Sequence, residues 1–243
     1  MQIEFYEEFP SKENLKKLKL IKFKTRLFVA AKSIKEFKKF EKIAKKIKKD
    51  TNVIYWPIIP NSYYISPFSN TPDLKKLFQE LEKIDNHLLI DLELPLNKKL
   101  ILKNLLNFSK NRKLIRRFLE KNKHRITTAE PVEILFLKYL KFRGQDFPVK
   151  TEKSLMWYTS MIPRAVNKNI KKNLIKLKNK NQYSISLGTI AHGIFGNERI
   201  LSPKNLEKDL EFVKKSGFKK VIIFRLEGLN RDYLKVIEKF LKS

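Results

Sequence analysis

The 243-residue chain has no cysteine, which excludes a disulfide framework, a thiolate metal site and a cysteine nucleophile. No apolar run approaches the roughly 18 residues that a membrane-spanning helix needs, and the opening MQIEFYEEF carries acids where a secretory signal would begin with bases. A cytoplasmic protein with no membrane partner is expected. His87, His124 and His192 are too dispersed for a zinc motif such as H-E-x-x-H. P-loop, GxGxxG and GxSxG motifs are all missing, so nucleotide hydrolysis, dinucleotide binding and serine-hydrolase chemistry find no support.

Acids are scarce too: 25 Asp and Glu stand against 54 Lys and Arg, for a net charge of +29. A surface of that sign attracts phosphates without any specific site, so nonspecific nucleic-acid binding is one expectation, and a non-enzymatic RNA-binding or assembly protein is one reading of the chain. The lysines are nevertheless spread over every helical stretch, as in IKEFKKFEKIAKKIKK, and arginine is scarce beside them. Solvated helix faces account for that pattern. A hydrophobic fraction of 42% and 18 phenylalanines point to a globular chain.

Short β-type runs alternate with amphipathic stretches along the whole sequence, the pattern of parallel strands joined by crossover helices. Eight strands are expected, at Ile3 to Phe9, Arg26 to Ala31, Val53 to Ile59, Leu88 to Leu94, Arg125 to Glu130, Ser154 to Ser160, Tyr183 to Thr189 and Lys220 to Leu226. In TPDLKKLFQELEKI, Leu74, Leu77, Phe78, Leu81 and Ile84 recur at the spacing of one helix face, as Leu206, Leu210 and Val213 do in SPKNLEKDLEFVKKSG. Thr71-Pro72-Asp73 and Ser202-Pro203 open helices, and Gly144 and Gly217 close them. Eight such units in a length near the roughly 250 residues typical of the architecture predict one domain over 1–243, a (β/α)8 TIM barrel. An open doubly wound sheet is the alternative.

In a barrel, the C-terminal strand ends and the loops after them form the working face. Acids recur there: Glu7 and Glu8, Asp91 and Glu93, Glu130 and Glu227. Asp91 and Glu93 are two apart on one strand, so both side chains point the same way and share a site. Two close carboxylates resist double ionisation, which keeps a proton available for a leaving oxygen, so Glu93 is the candidate general acid and Asp91 its tuner. Structural ion pairs at the mouth are the competing explanation. A divalent metal held by Glu7, Asp91, Glu93 and Glu130 is a further option; no other cofactor is expected. Trp56, Trp157, Tyr63 and Tyr64 offer flat faces for a sugar ring, although core packing also uses such residues. The loop Pro57 to Asn70 carries two of these tyrosines and has the length of a functional loop. Three of the six glycines fall in GTIAHGIFG, from Gly188 to Gly196, and Gly228 follows strand eight. Loops after strands seven and eight often bind phosphate through backbone N–H groups, with Arg225 placed to assist.

Asp91-Leu92-Glu93 on strand four and Met156-Trp157-Tyr158 on strand six resemble the chitinase-like family 18 glycoside hydrolases. The resemblance implies a barrel in which Glu93 is the acid, Asp91 supports it, and Tyr158 contacts an acetamido group of the substrate that itself serves as nucleophile. It covers about a dozen residues. The family's earlier aspartates would fall at Leu89 and Asn86, and its last-strand tryptophan has no match in IIFRLEG. Together the residues predict a carbohydrate-active, glycosidase-like hydrolase acting on a glycan or other small molecule, with Glu93, Asp91 and Tyr158 catalytic and Glu7, Trp56, Glu130, Gly188 and Arg225 binding substrate. A sugar-phosphate lyase or isomerase is the second reading. Oligomeric state is not legible.

Overall fold

In most strands one alternate set of residues is apolar while the other carries polar atoms, and closing the sheet sends the two sets to opposite sides. The computed structural model describes residues 1–132 and 144–241. Its strands, β1 (Gln2–Glu7), β2 (Arg26–Ala31), β3 (Asn52–Pro57), β4 (Leu88–Asp91), β5 (Ile126–Pro131), β6 (Glu152–Met156), β7 (Tyr183–Gly188) and β8 (Lys220–Phe224), are all parallel and close in chain order. β1 pairs with both β2 and β8, so no edge remains. The (β/α)8 barrel is the observed fold; the open sheet is not.

Ile3 and Phe5, Leu27 and Val29, Leu88 and Ile90, and Val221 and Ile223 face outward and are buried beneath the helices. Those helices are α1 (Lys12–Lys16), α2 (Ile34–Ile47), α3 (Thr71–Leu81), α4 (Lys99–Lys103), α5 (Phe108–Asn122), α6 (Arg164–Lys176), α7 (Pro203–Lys215) and α8 (Arg231–Glu238). On α3 the buried residues are Leu74, Leu77, Phe78 and Leu81, and Phe78 stacks on Phe118 of α5 at 4.2 Å. Burying each side chain of this size contributes roughly 1.5–3 kcal/mol. Ser202 caps α7 by accepting from the Asn205 N–H, and Gly217, at φ 84°, turns the chain away from its end. Gly144, expected to close a helix, follows residues 133–143, which lie outside the described residues. Among the described residues no helix is long and apolar enough to cross a membrane.

Inside, the barrel is layered. At the N-terminal end, Arg26 binds Glu4 at 2.7 Å and Glu152 at 2.8 Å, and Lys220 adds a second bond to Glu152 at 2.8 Å. Above this ionic plug lie Phe28, Ile54, Leu89 and Ile222, with the Tyr6 hydroxyl bonded to Ser154 at 2.9 Å and close to Ser186 at 3.1 Å. The floor is filled, and the C-terminal end stays open. Several strands stop two to four residues short of their expected ends: β4 ends at Asp91 rather than Leu94, and β6 at Met156 rather than Ser160. The segments beyond remain near the barrel mouth, but their backbone leaves the ladder to line a pocket.

Candidate active site

The inward phase of six strands converges on one cavity of about 290 Å³ at the C-terminal mouth. β1 and the residues just past it send Tyr6 and Glu8 into it, β3 Trp56, β4 and its continuation Asp91 and Glu93, β5 Ala129 and Pro131, β6 and its continuation Met156 and Tyr158, and β8 Phe224. The long loop after β3 contributes Tyr64, and the loop after β7 contributes Glu198. Trp56 packs against Tyr6 at 5.6 Å between centroids, and Tyr158 against Phe224 at 5.5 Å. An aromatic wall thus surrounds four carboxyl groups.

Those carboxyls are poorly solvated. Asp91 is 4% exposed, and its Oδ1 accepts no hydrogen bond among the described residues. Burial first, then the charges of Glu93 and Glu8, hold its carboxyl well above the ordinary range, which favours its protonated form. Glu8 is 3% exposed and is pushed up to about 7, mainly by burial, against the lowering effect of the 2.8 Å bond it accepts from the Tyr63 hydroxyl. One oxygen each of Glu8 and Glu198 also lacks a hydrogen-bond partner among the described residues. Gly193 lies between these two acids: a Cβ there would sit 2.9 Å from Glu198 Oε1 and 3.2 Å from Glu8 Oε2. The Tyr158 phenol is held well above its ordinary value, by enclosure first and by nearby charge second, so it stays a neutral donor. Carboxyls with unsatisfied oxygens facing a cavity can accept or deliver protons to a bound group.

Of the residues expected at the site, the structure brings together Asp91, Glu93, Trp56 and Tyr158. Others lie elsewhere. Glu7 is in phase with Ile3 and Phe5 and turns away from the pocket, where it accepts from Arg225 at 3.0 Å and from the Glu227 N–H at 2.9 Å. Glu130 likewise leaves the interior and pairs with Lys153 at 2.8 Å. Arg225 is spent on Glu7, Glu227 and the His192 carbonyl. The four-carboxylate metal set therefore does not converge, and among the described residues no cluster of three or more His, Asp or Glu side chains is placed to hold a metal ion. Trp157 lies in the outer layer, where its indole N–H donates to Asn167 at 2.8 Å.

The glycines are used differently from a phosphate cradle. A Cβ on Gly188 would sit 2.4 Å from the Phe224 carbonyl oxygen, and one on Gly228 would sit 1.8 Å from that of Ile190. They let the ends of β7 and β8 approach. The amides nearby are also occupied: Ile190 donates to Phe224, Gly228 to Arg225, and Glu227 to Glu7.

Glu8 and Glu198 are the acids that the sequence reading left without a role. Glu8 was accessible through alternation, because Tyr6 and Glu8 share a phase opposite to that of Ile3 and Phe5. Glu198 carried no such signal, since it lies in an irregular loop.

Comparison with known proteins places the fold. No family model and no curated protein sequence matches the chain. Among solved structures it is similar to a chitinase from Chromobacterium violaceum (TM-score 0.56, 8% identity, 100% of this chain and 99% of that one). It is also similar to a 3-keto-D-glucoside 4-epimerase from E. coli (TM-score 0.53, 9% identity, 100% of both chains). A family 2 AP endonuclease from Brucella melitensis gives a TM-score of 0.54 at 10% identity, over 96% of this chain and 95% of that one. At such identities the likeness is one of barrel architecture.

Proposed function

We propose that the protein is a carbohydrate-active barrel enzyme, a glycosidase-like hydrolase whose acid/base chemistry is run by carboxyls at the mouth of the barrel. The observation that carries this reading is the convergence of Glu8, Asp91, Glu93 and Glu198 on an aromatic-walled pocket, where burial raises the carboxyls of Glu8 and Asp91. Glycoside hydrolysis asks for such a set: one carboxyl protonates the departing oxygen while a second, ionised, assists water or the developing cation. Glu93 donates the proton. Asp91 tunes its basicity through their shared field. Glu8, which ionises near 7, is the second carboxylate. Trp56 and Tyr158 give the sugar a flat face and a hydroxyl donor. The chitinase resemblance carried by Asp91, Glu93 and Tyr158 agrees with these roles, and the chitinase and the epimerase among the similar structures act on sugars by name.

The test is hydrolysis of a panel of oligosaccharides and aryl glycosides by the protein and by Glu93→Gln. Loss of a general acid lowers turnover about 10²–10⁴-fold on natural leaving groups and far less on an acidic phenol. Equal losses on both leaving groups would remove Glu93 from the acid role. Absence of turnover on the entire panel would count against the hydrolase reading. The sugar-phosphate lyase or isomerase reading has less support, because Arg225 is held by Glu7 and Glu227 and the amides of Ile190, Glu227 and Gly228 donate within the protein.

A further inference from the structure

A second cavity, of about 440 Å³, lies on the far side of the wall that bounds the active-site pocket. It is a groove between α6 and α7, closed at its upper end by the segments that follow β6 and β7. Four cations line it: Arg164 and Lys171 from α6, Arg199 from the loop, and Lys208 from α7. Among the described residues none of them forms a salt bridge. The Lys171 ammonium lies over the rings of Phe212 and Trp157 at 5.0 and 5.5 Å from their centroids, which holds this charge at the edge of the groove. Neutral donors face the same space. Ser160 Oγ is buried without a partner among the described residues, and Asn167, whose carbonyl oxygen is taken by the Trp157 indole, has its NH₂ left to offer.

The groove holds a single acid, Asp209. It already accepts the Thr159 hydroxyl, and burial raises its carboxyl above the ordinary value. The groove is therefore a concave collection of donors and positive charge, and a cleft lined by one sign focuses its field on what enters. Arginine forks match the geometry of tetrahedral oxyanions. The partition is shared: Tyr158, Met161, Ile162 and Glu198 face the active-site pocket, while Thr159, Ser160 and Arg199 face the groove.

We propose that this groove is a binding site for a phosphate-class oxyanion. The site stands on the groove alone, independently of the carbohydrate-enzyme reading. Inorganic phosphate, titrated calorimetrically into the full chain at about 0.15 M salt, tests it. It should bind saturably. The double variant Arg164→Ala/Arg199→Ala should weaken it by about tenfold or more, whereas Lys42→Ala/Lys46→Ala, an equal loss of charge on α2, should change it by less than about twofold. Asp91→Asn, in the separate pocket, should leave phosphate affinity intact. Non-saturable binding, or equal weakening by the two double variants, would show only the attraction of a basic surface and overturn the site. Tighter displacement by a short oligonucleotide would overturn the assignment to a small oxyanion.

Discussion

Glu8 shows how one residue sets the pH response. Its ordinary value is 4.5 and its folded value about 7, so the fold favours the protonated form. The stability this contributes is complete below about pH 4.5 and is lost as pH rises through about 7, a loss on the order of 2–3 kcal/mol. Glu8→Gln keeps an acceptor for Tyr63 but cannot ionise. Urea unfolding at about pH 5 and pH 8 should therefore show a smaller drop for the variant than for the parent protein. Tyr63→Phe acts in the opposite sense on the same group. Without the 2.8 Å bond that favours the carboxylate, Glu8 should titrate higher, and the pH–rate profile should move by about half a unit or more in that direction. An unmoved profile would separate Glu8 from the rate-determining ionisation. Asp91 and Glu93 were legible as a pair because a two-residue spacing on a strand fixes a common side. Choosing between Glu7 and Glu8 required the phase of β1, which the acidic doublet itself hides; only Ile3 and Phe5, apolar and helix-facing, disclose it.

At the level of elements, the strands were readable because a barrel buries both faces of each, leaving apolar runs bounded by polar turns. Their ends were less readable. Leu92 and Glu93 keep the strand alternation, yet they lie beyond the last residue of β4, so pattern alone overextends the ladder. The glycines of the β7–β8 corner stood out in the sequence as a loop suited to phosphate, whereas the backbone crowding that Gly188 and Gly228 accommodate was invisible there. Gly188 has φ 144°, a conformation that side chains disfavour, in addition to its close approach to Phe224. Gly188→Ala should cost roughly 2–4 kcal/mol in unfolding experiments, whereas Gly196→Ala, at φ 70° with open space around it, should cost only about 1 kcal/mol. Similar costs at the two positions would contradict this account of the corner.

Across the molecule, the ionic plug and the surface charge respond to different conditions. Burial would raise Glu152, but the bonds and charges of Arg26 and Lys220 prevail and hold it down to about 2. Its contribution to stability is present above about pH 4.5 and is lost as pH falls through about 2. Arg26→Ala removes the cation bound to Glu4 and leaves Glu152 paired with Lys220 alone, and should cost roughly 3–5 kcal/mol at neutral pH, with less dependence on pH in the acid range. Denaturant titrations at several pH values measure both effects. The +29 charge is spread over helix surfaces and repels itself, so raising salt from about 20 mM to about 200 mM should raise the thermal midpoint in a fluorescence melt. A falling midpoint would mean that attractive surface pairs outweigh the repulsion. Composition announced this charge, but not that part of it gathers between α6 and α7, because Arg164, Arg199 and Lys208 are brought together only by the packing of distant segments.

The thin partition between the two cavities also constrains how the protein can be altered. Residues 158–162 supply both of its sides, so a substitution meant to widen one chamber shifts the backbone that shapes the other. Libraries that diversify this segment together with 198–201 explore coordinated changes, while single-site scanning meets paired losses. Replacing the two loops as one cassette is the practical route to a new specificity.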